Sequence, residues 1–294
     1  MTTTRTVAVL NDACARTGLN ASDAAPLHQH AATLYLFEAD RVVVRLNHDS
    51  DDRARARTVV ELTRWLTGQG FPSVAPVDVD QPIDVEDYTV TFWRYYPQND
   101  RPKPTADHLG AMLRQFHALP TPPVELSQYQ PLKNLGDTVA ASTSLPAQDR
   151  GWLLARRAEL LSEYAQLDFP LGSGWIHGDA YPGNTLWDGD RALLGDWDEV
   201  GTGPRELDLV NTHQGARFGR PQAERDAFNT AYGYDVTGWP GFPILREMRD
   251  LHTLGSYIRL AETGNEQAAT QLGFRIDTLK GGEVNAPWNV RERQ

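Results

Sequence analysis

The chain has 294 residues, of which 40% are hydrophobic and 23% are charged, which is ordinary for a globular protein with room for two domains or lobes. Its formal net charge of −11 argues against a general nucleic-acid-binding protein, because such proteins are basic. The only cysteine, Cys14, cannot form an internal disulfide, which fits a reducing compartment.

The hydropathy pattern contains no sign of a membrane or export segment. No apolar run approaches the roughly 18 residues of a membrane span. The apolar run VAVL near the start is too short for the core of a signal peptide. We therefore expect a cytoplasmic protein that binds neither membranes nor nucleic acids.

The first 97 residues predict a small antiparallel sheet with an inserted helix. In chain order, the predicted elements are a helix over 6–19, a β-hairpin over 33–46, a helix over 49–70, and strands over 74–79 and 87–96. In the second helix, Val59, Leu62 and Leu66 form an apolar stripe at helical spacing, and Gly70 is expected to end the helix.

The segment PQNDRPKPT, at 97–105, is rich in proline and polar residues and is the best candidate for a linker. We place a domain boundary after residue 97, so that 98–294 form a second, mainly helical domain. Its helices are expected at 106–120, 147–167, 204–213, 221–232, 242–262 and 265–280.

Residues 175–201, WIHGDAYPGNTLWDGDRALLGDWDEVG, carry much acid between short apolar runs. A hairpin here would bring the loop with Asp179 and Asn184 towards Asp196, which ends the last run. A carboxylate can accept a hydroxyl proton, and amide and carboxylate oxygens suit Mg²⁺, so these residue types fit phosphoryl transfer. The alternative is an exposed hairpin with solvated acids, which is our interpretation for Asp188, Asp190 and Glu199.

The motifs HGDAYPGN, at 177–184, and LLGDWD, at 193–198, resemble the aminoglycoside phosphotransferase family, which includes choline-kinase-like and other small-molecule kinases. The segment GTGPRELDLV, at 201–210, is similar to a further part of the family pattern, and VTFWRYY, at 90–96, is similar to its hinge. The resemblance covers residues 30–215.

The resemblance implies both a fold and residue roles. The fold is α+β and two-lobed, like a protein kinase, with a small antiparallel-sheet N-lobe over 1–97 and a larger, mainly helical C-lobe over 98–294. Asp179 would be the catalytic aspartate that accepts or orients the proton of the substrate hydroxyl. Asn184 and Asp196 would hold Mg²⁺.

Three further residues have supporting roles by the same resemblance. Asp208 matches a structural aspartate that braces the catalytic loop. His177 would support the loop rather than act as a base. For Asp198, a position facing the metal ions and a position facing the substrate both stay open.

Arg45 stands where kinases of this type carry a lysine, and the first hundred residues contain no lysine. Strand alternation puts Arg45 on the face opposite Val42 and Val44. We expect its guanidinium to bind the nucleotide phosphates in a two-point contact and to take part in catalysis; the alternative is an edge strand with Arg45 in solvent. Glu61 is the candidate carboxylate partner of Arg45 from the next helix. If that helix is instead aligned with the family at RWL, residues 64–66, Val59 falls near the partner position.

The hinge predicts the nucleotide site, and the C-terminal helices predict the acceptor site. The backbone near Trp93 and Tyr95 would contact the base of ATP or GTP. The acceptor should lie over Asp179, where an aminoglycoside, another amino sugar, a peptide antibiotic or a metabolite alcohol would each fit. A cationic acceptor could use the acids of these helices, which are Asp226, Glu247, Asp250, Glu262 and Glu266.

The sequence therefore predicts an ATP- or GTP-dependent phosphotransferase that phosphorylates a hydroxyl group of a small molecule. Arg45 and Glu61 motivate an alternative, a kinase-like protein that binds nucleotide without turnover. A metal-dependent phosphatase is disfavoured, because the Asp-x-His pair at 250–252 lies on the wrong side of the loop and no later Asn-His follows it. The oligomeric state stays open.

Overall fold

The chain divides into two compact units in a computed structural model that describes residues 2–29, 33–48 and 52–288. The first unit comprises Met1–Pro104, Ala118–Ser127 and Pro182–Val200. The second unit comprises Thr105–His117, Gln128–Tyr181 and Gly201–Gln294. The single boundary after residue 97 stays a prediction.

A five-stranded antiparallel sheet in the order β1-β2-β3-β5-β4 forms the centre of the first unit. Its strands are β1 (Ala25–Gln29), β2 (Thr33–Phe37), β3 (Val42–Asn47), β4 (Ile83–Val85) and β5 (Tyr88–Arg94). The predicted hairpin is confirmed, with Phe37 paired to Val42. Val42 and Val44 are buried and Arg45 lies on the opposite face, as the alternation predicted. Because β3 lies between β2 and β5, the alternative of an edge strand for Arg45 is wrong.

Helices α1 (Thr2–Thr17) and α2 (Asp52–Gly68) complete the core of the first unit. Apolar residues of α1 and of the sheet form one buried cluster that includes Leu10, Cys14, Phe37, Val44 and Phe92. Val59, Leu62 and Leu66 of α2 are buried, so the predicted stripe is confirmed. Burial of each large apolar side chain contributes about 1.5–3 kcal/mol.

The strand predicted over 74–79 is wrong. This segment makes only isolated bridges, from Ser73 to Leu194 and from Pro76 to Trp93. Pro76 has no N–H group and cannot continue a ladder of hydrogen bonds, so the β-rich composition does not produce a strand here. The strand that pairs with β5 follows later, as β4.

The second unit is mainly helical, as predicted. Its helices are α3 (Ala106–His117), α4 (Lys133–Ala141), α5 (Ala147–Tyr164), α6 (Glu206–Gln214), α7 (Gln222–Tyr232), α8 (Phe242–Glu262) and α9 (Glu266–Lys280). Helix α4 lies outside the predicted helices. Strand β6 (Ser173–Ile176) pairs with β9 (Gly201–Pro204), which delays the start of α6. Within the described ranges, none of the helices has the length and apolar composition needed to cross a bilayer.

Helices α3 and α7 of the second unit approach each other closely at Gly110. A Cβ atom added there would lie 2.5 Å from the carbonyl oxygen of Phe228 and 3.2 Å from the Cβ of Ala231. A distance of 2.5 Å to a backbone atom is too short for van der Waals contact, so one of the helices would have to shift. The packing of these helices therefore requires a residue without a side chain at this position.

We expect Gly110→Ala to lower the free energy of unfolding by about 1–3 kcal/mol, because the added methyl group forces α3 and α7 apart. Gly151→Ala in α5 is the matched control, since a Cβ there meets nothing within 4 Å. Alanine should stabilise that exposed helical position by about 0.5–1 kcal/mol. Chemical denaturation measures both changes. Equal stabilities for the two variants would contradict the close approach at Gly110.

Candidate active site

A β-hairpin in the first unit positions the two predicted metal ligands. Strand β7 (Thr185–Asp188) directly follows Asn184, and strand β8 (Arg191–Leu194) is followed two residues later by Asp196. The backbone N–H of Gly195 donates to the carbonyl oxygen of Asn184 at 2.9 Å. The hairpin therefore brings the Asn184 and Asp196 positions to the same end, as predicted. Asp179 belongs to the second unit, and its place beside them stays a prediction.

The chemistry of this pair of residues fits a magnesium ion. Asp196 is exposed and has a left-handed backbone with φ of 61°, which is uncommon for any residue but glycine. Mg²⁺ is usually held by one or two protein oxygens together with phosphate oxygens and water, so an amide oxygen and a carboxylate suffice. Among the described residues, no group of three or more His, Cys, Asp or Glu side chains could hold a metal ion.

Arg45 pairs with Asp198, another predicted site residue of the first unit. The guanidinium donates from Nη1 to Oδ1 of Asp198 at 3.0 Å, and Nη2 donates to Oδ2. A further hydrogen bond runs from Nε to Oδ1 of Asn47, at 3.1 Å. This two-point contact fixes the plane of the guanidinium. The anionic partner that an arginine on a central strand requires is thus 153 residues away along the chain.

Glu61 is not brought to Arg45. It is exposed on α2 and forms no ion pair within the part of the chain that the structure describes. Val59 of the same helix instead lines a small cavity together with Arg45 and Asp198. A nucleotide contact by Glu61 stays a prediction.

The hinge residues lie at the end of β5. Trp93 pairs with Val43, and its Nε1 donates to Oγ1 of Thr91 at 2.9 Å. The backbone N–H of Tyr95 donates to the carbonyl of Arg41 at 2.8 Å. A contact from Tyr95 to a nucleotide base would therefore have to use its carbonyl oxygen or its ring.

In the second unit, Asp208 fixes the loop that follows β6. Its carboxylate is fully buried in the first turn of α6 and accepts the backbone N–H of His177 at 2.7 Å and of Gly178 at 2.8 Å. Nε2 of His117 lies 3.0 Å from the same carboxylate, and Nδ1 of His117 lies 2.9 Å from the hydroxyl of Tyr232. The structure thus brings Asp208 and His177 together directly before Asp179.

His177 itself is fully buried, and its Nδ1 accepts the backbone N–H of Asp179 at 3.3 Å. This hydrogen bond closes the loop on itself. The contact fits a supporting role for the imidazole, which stays a prediction.

Arg249 of α8 is a site residue that the motifs do not indicate. Its Nη2 donates to Oδ1 of Asp179 at 2.6 Å, and its Nε donates to Oε1 of Gln214 at 3.2 Å. The side chains of Arg249 and Asp179 are 13% and 24% exposed, so the ion pair is largely shielded from water. Sequence spacing gives no signal for it, because the C-terminal helices resemble the family only in being helical.

The acids of the C-terminal helices are largely engaged within the protein. Asp250 pairs with Arg217 at 2.7 Å, and both side chains are 2% exposed; burial raises the pKa of Asp250. Glu247 pairs with Arg156 at 2.6 Å. Glu262 accepts hydrogen bonds from hydroxyl and N–H groups of residues 142–144, which hold its pKa well below the usual range. Asp226 is exposed and accepts from Gln222, and Glu266 is exposed in the first turn of α9.

A model of the phosphotransferase enzyme family matches residues 25–247, which is more than half of the chain. The chain therefore belongs to this family. A comparison with curated proteins found no significant match.

Three solved structures illustrate the similarity in fold. A structure of the amicoumacin kinase hAmiN with AMP-PNP, Ca²⁺ and Ami has a TM-score of 0.76 at 15% identity, over 93% of this chain and 92% of that chain. A microcompartment-associated aminopropanol kinase has a TM-score of 0.69 at 16% identity, over 96% and 99%. A choline/ethanolamine kinase family protein from Mesorhizobium loti has a TM-score of 0.64 at 17% identity, over 92% and 94%.

These comparisons confirm the predicted family and the α+β, two-lobed kinase-like fold. The prediction of a phosphotransferase that acts on the hydroxyl group of a small molecule is confirmed at the level of the enzyme class.

The free energy of unfolding should depend on pH through His252, which lies on α8 beside Arg249. Burial and the positive charge of Arg249 lower its pKa from 6.5 to about 4. Between these values the unfolded chain binds a proton that the folded chain excludes, so stability falls as the pH falls.

From about pH 7 to about pH 5, this single group should remove about 2 kcal/mol from the free energy of unfolding. Over the same interval, the free energy of unfolding of His252→Gln should fall by about 2 kcal/mol less than that of the wild type. Urea denaturation at both pH values measures the difference, with His108→Gln as the control at a more exposed histidine. If wild type and His252→Gln lose equal stability, His252 does not exclude the proton.

Proposed function

We propose that the chain transfers the γ-phosphoryl group of ATP or GTP to a hydroxyl group of a small molecule, with Asp179 as the catalytic base. The observation that carries this proposal is the attachment of the loop before Asp179 to the buried carboxylate of Asp208. A base has to be held within hydrogen-bond reach of the hydroxyl, and a loop tied at two successive N–H groups has little freedom to move.

Asn184 and Asp196 are the residues that we propose to hold Mg²⁺. When bound, the ion would neutralise phosphate charge and so reduce the repulsion against an incoming hydroxyl. The presence of AMP-PNP and Ca²⁺ in the amicoumacin kinase structure supports the use of a nucleotide and a divalent ion in this family.

Arg45 is proposed to contact the nucleotide phosphates, and Asp198 to position it. A guanidinium stays charged at any working pH, and its planar group of donors matches phosphate oxygens. The backbone of the hinge at Trp93 and Tyr95 is proposed to face the nucleotide base.

Asp179→Ala should lower kcat by at least about 100-fold, because it removes the group that accepts the proton, while nucleotide affinity stays unchanged. The assay couples release of nucleoside diphosphate to a panel of hydroxy acids, amino sugars, aminoglycosides and choline-like alcohols. Asp188→Ala is the control, since Asp188 is exposed at the end of β7 and its replacement is expected to leave kcat unchanged. Undiminished turnover by Asp179→Ala would overturn the assignment of the base.

Arg45→Gln should weaken binding of ATP by about 10–100-fold, since it removes charge-assisted hydrogen bonds to phosphate, and should leave the affinity for adenosine unchanged. Isothermal calorimetry with both ligands separates the phosphate contact from a general loss of structure. Arg53→Gln is the control, because Arg53 is exposed on α2 and pairs with Asp84. If Arg45→Gln lowers the affinity for ATP and for adenosine equally, Arg45 only supports Asp198 and does not contact phosphate.

A protein that binds nucleotide without turnover is the second candidate. The ion pairs Arg45–Asp198 and Arg249–Asp179 favour it, because each engages a charged residue of the proposed site. Consumption of ATP stimulated by any compound of the panel would exclude it.

A further inference from the structure

A small cavity beside the candidate catalytic loop has an unusual lining. Its volume is about 20 Å³, which is room for one water-sized group, and it lies within the second unit. Gly178, the residue before Asp179, forms part of its wall, together with the apolar side chains of Leu245 and Met248. The polar residues Asn211, Arg249 and His252 line it as well.

Two of these residues carry donor groups that have no hydrogen-bond partner among the described residues. Asn211 is 7% exposed, and its Nδ2 is buried without a hydrogen-bond partner in the described chain. Such a group costs about 1–3 kcal/mol unless it is satisfied by a ligand or a water. Arg249 uses Nη2 for Asp179 and Nε for Gln214, while Nη1 has no partner among the described residues. A cation and an amide therefore line the same small space.

Arg249 is the charged residue in the lining of this cavity, so its wall opposes a cationic acceptor. The carboxylates of Asp250, Glu247 and Glu262 are already held by arginine, hydroxyl or N–H groups of the protein. Arg249 would repel an ammonium group placed near Asp179. His252 is neutral at neutral pH, because burial and Arg249 lower its pKa to about 4, so it adds no further positive charge.

We infer that the acceptor is a small hydroxy acid, whose carboxylate binds Arg249 and Asn211 while its hydroxyl lies at Asp179. This inference rests on the proposed function and narrows its substrate class. A single carboxylate oxygen matches the volume of the cavity, and an oxygen held there would accept from donors of Arg249 and Asn211.

The reaction balances as follows. The hydroxyl oxygen of the acid forms a bond to the γ-phosphorus of the nucleoside triphosphate. The bond from that phosphorus to the bridging oxygen breaks, the nucleoside diphosphate leaves, and the hydroxyl proton passes to Asp179. The product is the phosphate ester of the hydroxy acid.

The first experiment uses the unmodified chain with pairs of probes. Glycerate, 3-hydroxybutyrate and pantoate are each compared with the corresponding primary amide, with kanamycin as a polycation and glycerol 3-phosphate as a different anion. We expect phosphorylation of at least one acid, with kcat/KM about 100-fold lower for its amide. Preference for kanamycin, for glycerol 3-phosphate or for an amide would overturn the inference.

The second experiment uses variants. Arg249→Gln should lower kcat for the preferred acid and for its amide alike, because it releases Asp179. It should raise KM by about 100-fold for the acid alone, since the amide lacks the charge that Arg249 recognises. Arg249→Lys should restore part of the affinity, and Asn211→Ala should raise KM by about 10-fold. Arg259→Gln is the control, at an exposed position of the same helix. Equal changes in KM for acid and amide would make Arg249 a structural residue and overturn the inference.

Calorimetric titration of the acids separates this inference from the proposed function. Binding of an acid that Arg249→Gln abolishes, without any turnover, would support the carboxylate site and contradict the kinase assignment. Phosphorylation of neutral alcohols that is insensitive to Arg249→Gln would support the kinase assignment and overturn the carboxylate site. Failure of every acid to bind at millimolar concentration would also overturn it.

Discussion

The buried carboxylate of Asp208 is the constraint on which the candidate active site depends. A charge removed from water is tolerated only when donors surround it, and here two loop N–H groups and His117 do so. If the loop moved away, the buried carboxylate of Asp208 would lose two of its hydrogen-bond donors, at a cost of several kcal/mol. One carboxylate thereby connects α3, α6 and the loop after β6, and through His117 it reaches Tyr232 of α7.

Arginine–carboxylate pairs recur at the candidate site residues of both units. Arg45 holds Asp198 in the first unit, and Arg249 holds Asp179 in the second. Each pair fixes the orientation of an acid before any ligand arrives. Preorganisation of this kind lowers the cost of ordering side chains when an anionic ligand binds.

The parts of the fold that the sequence predicts are those set by local pattern. The β2–β3 hairpin, the stripe of α2 and the β7–β8 hairpin follow from spacing between near neighbours. The strand predicted at 74–79 is wrong because Pro76 lacks the N–H donor that a ladder of hydrogen bonds needs. The β-rich composition of the segment does not account for this missing donor. The partners of Arg45 and Asp179 lie 153 and 70 residues away, and no periodicity encodes contacts of that separation. The roles of Asp179, Asn184 and Asp196 remain predictions from the motif.

The guanidinium at the centre of β3 also changes the chemical reactivity of the protein. A lysine amine can lose its proton and attack acylating reagents, whereas a guanidinium stays protonated and is a poor nucleophile. The lysines of the chain are Lys103, Lys133 and Lys280, none of them in the sheet. Reagents that label kinase-like proteins through the strand lysine therefore have no target at β3, and a survey based on them would overlook this enzyme.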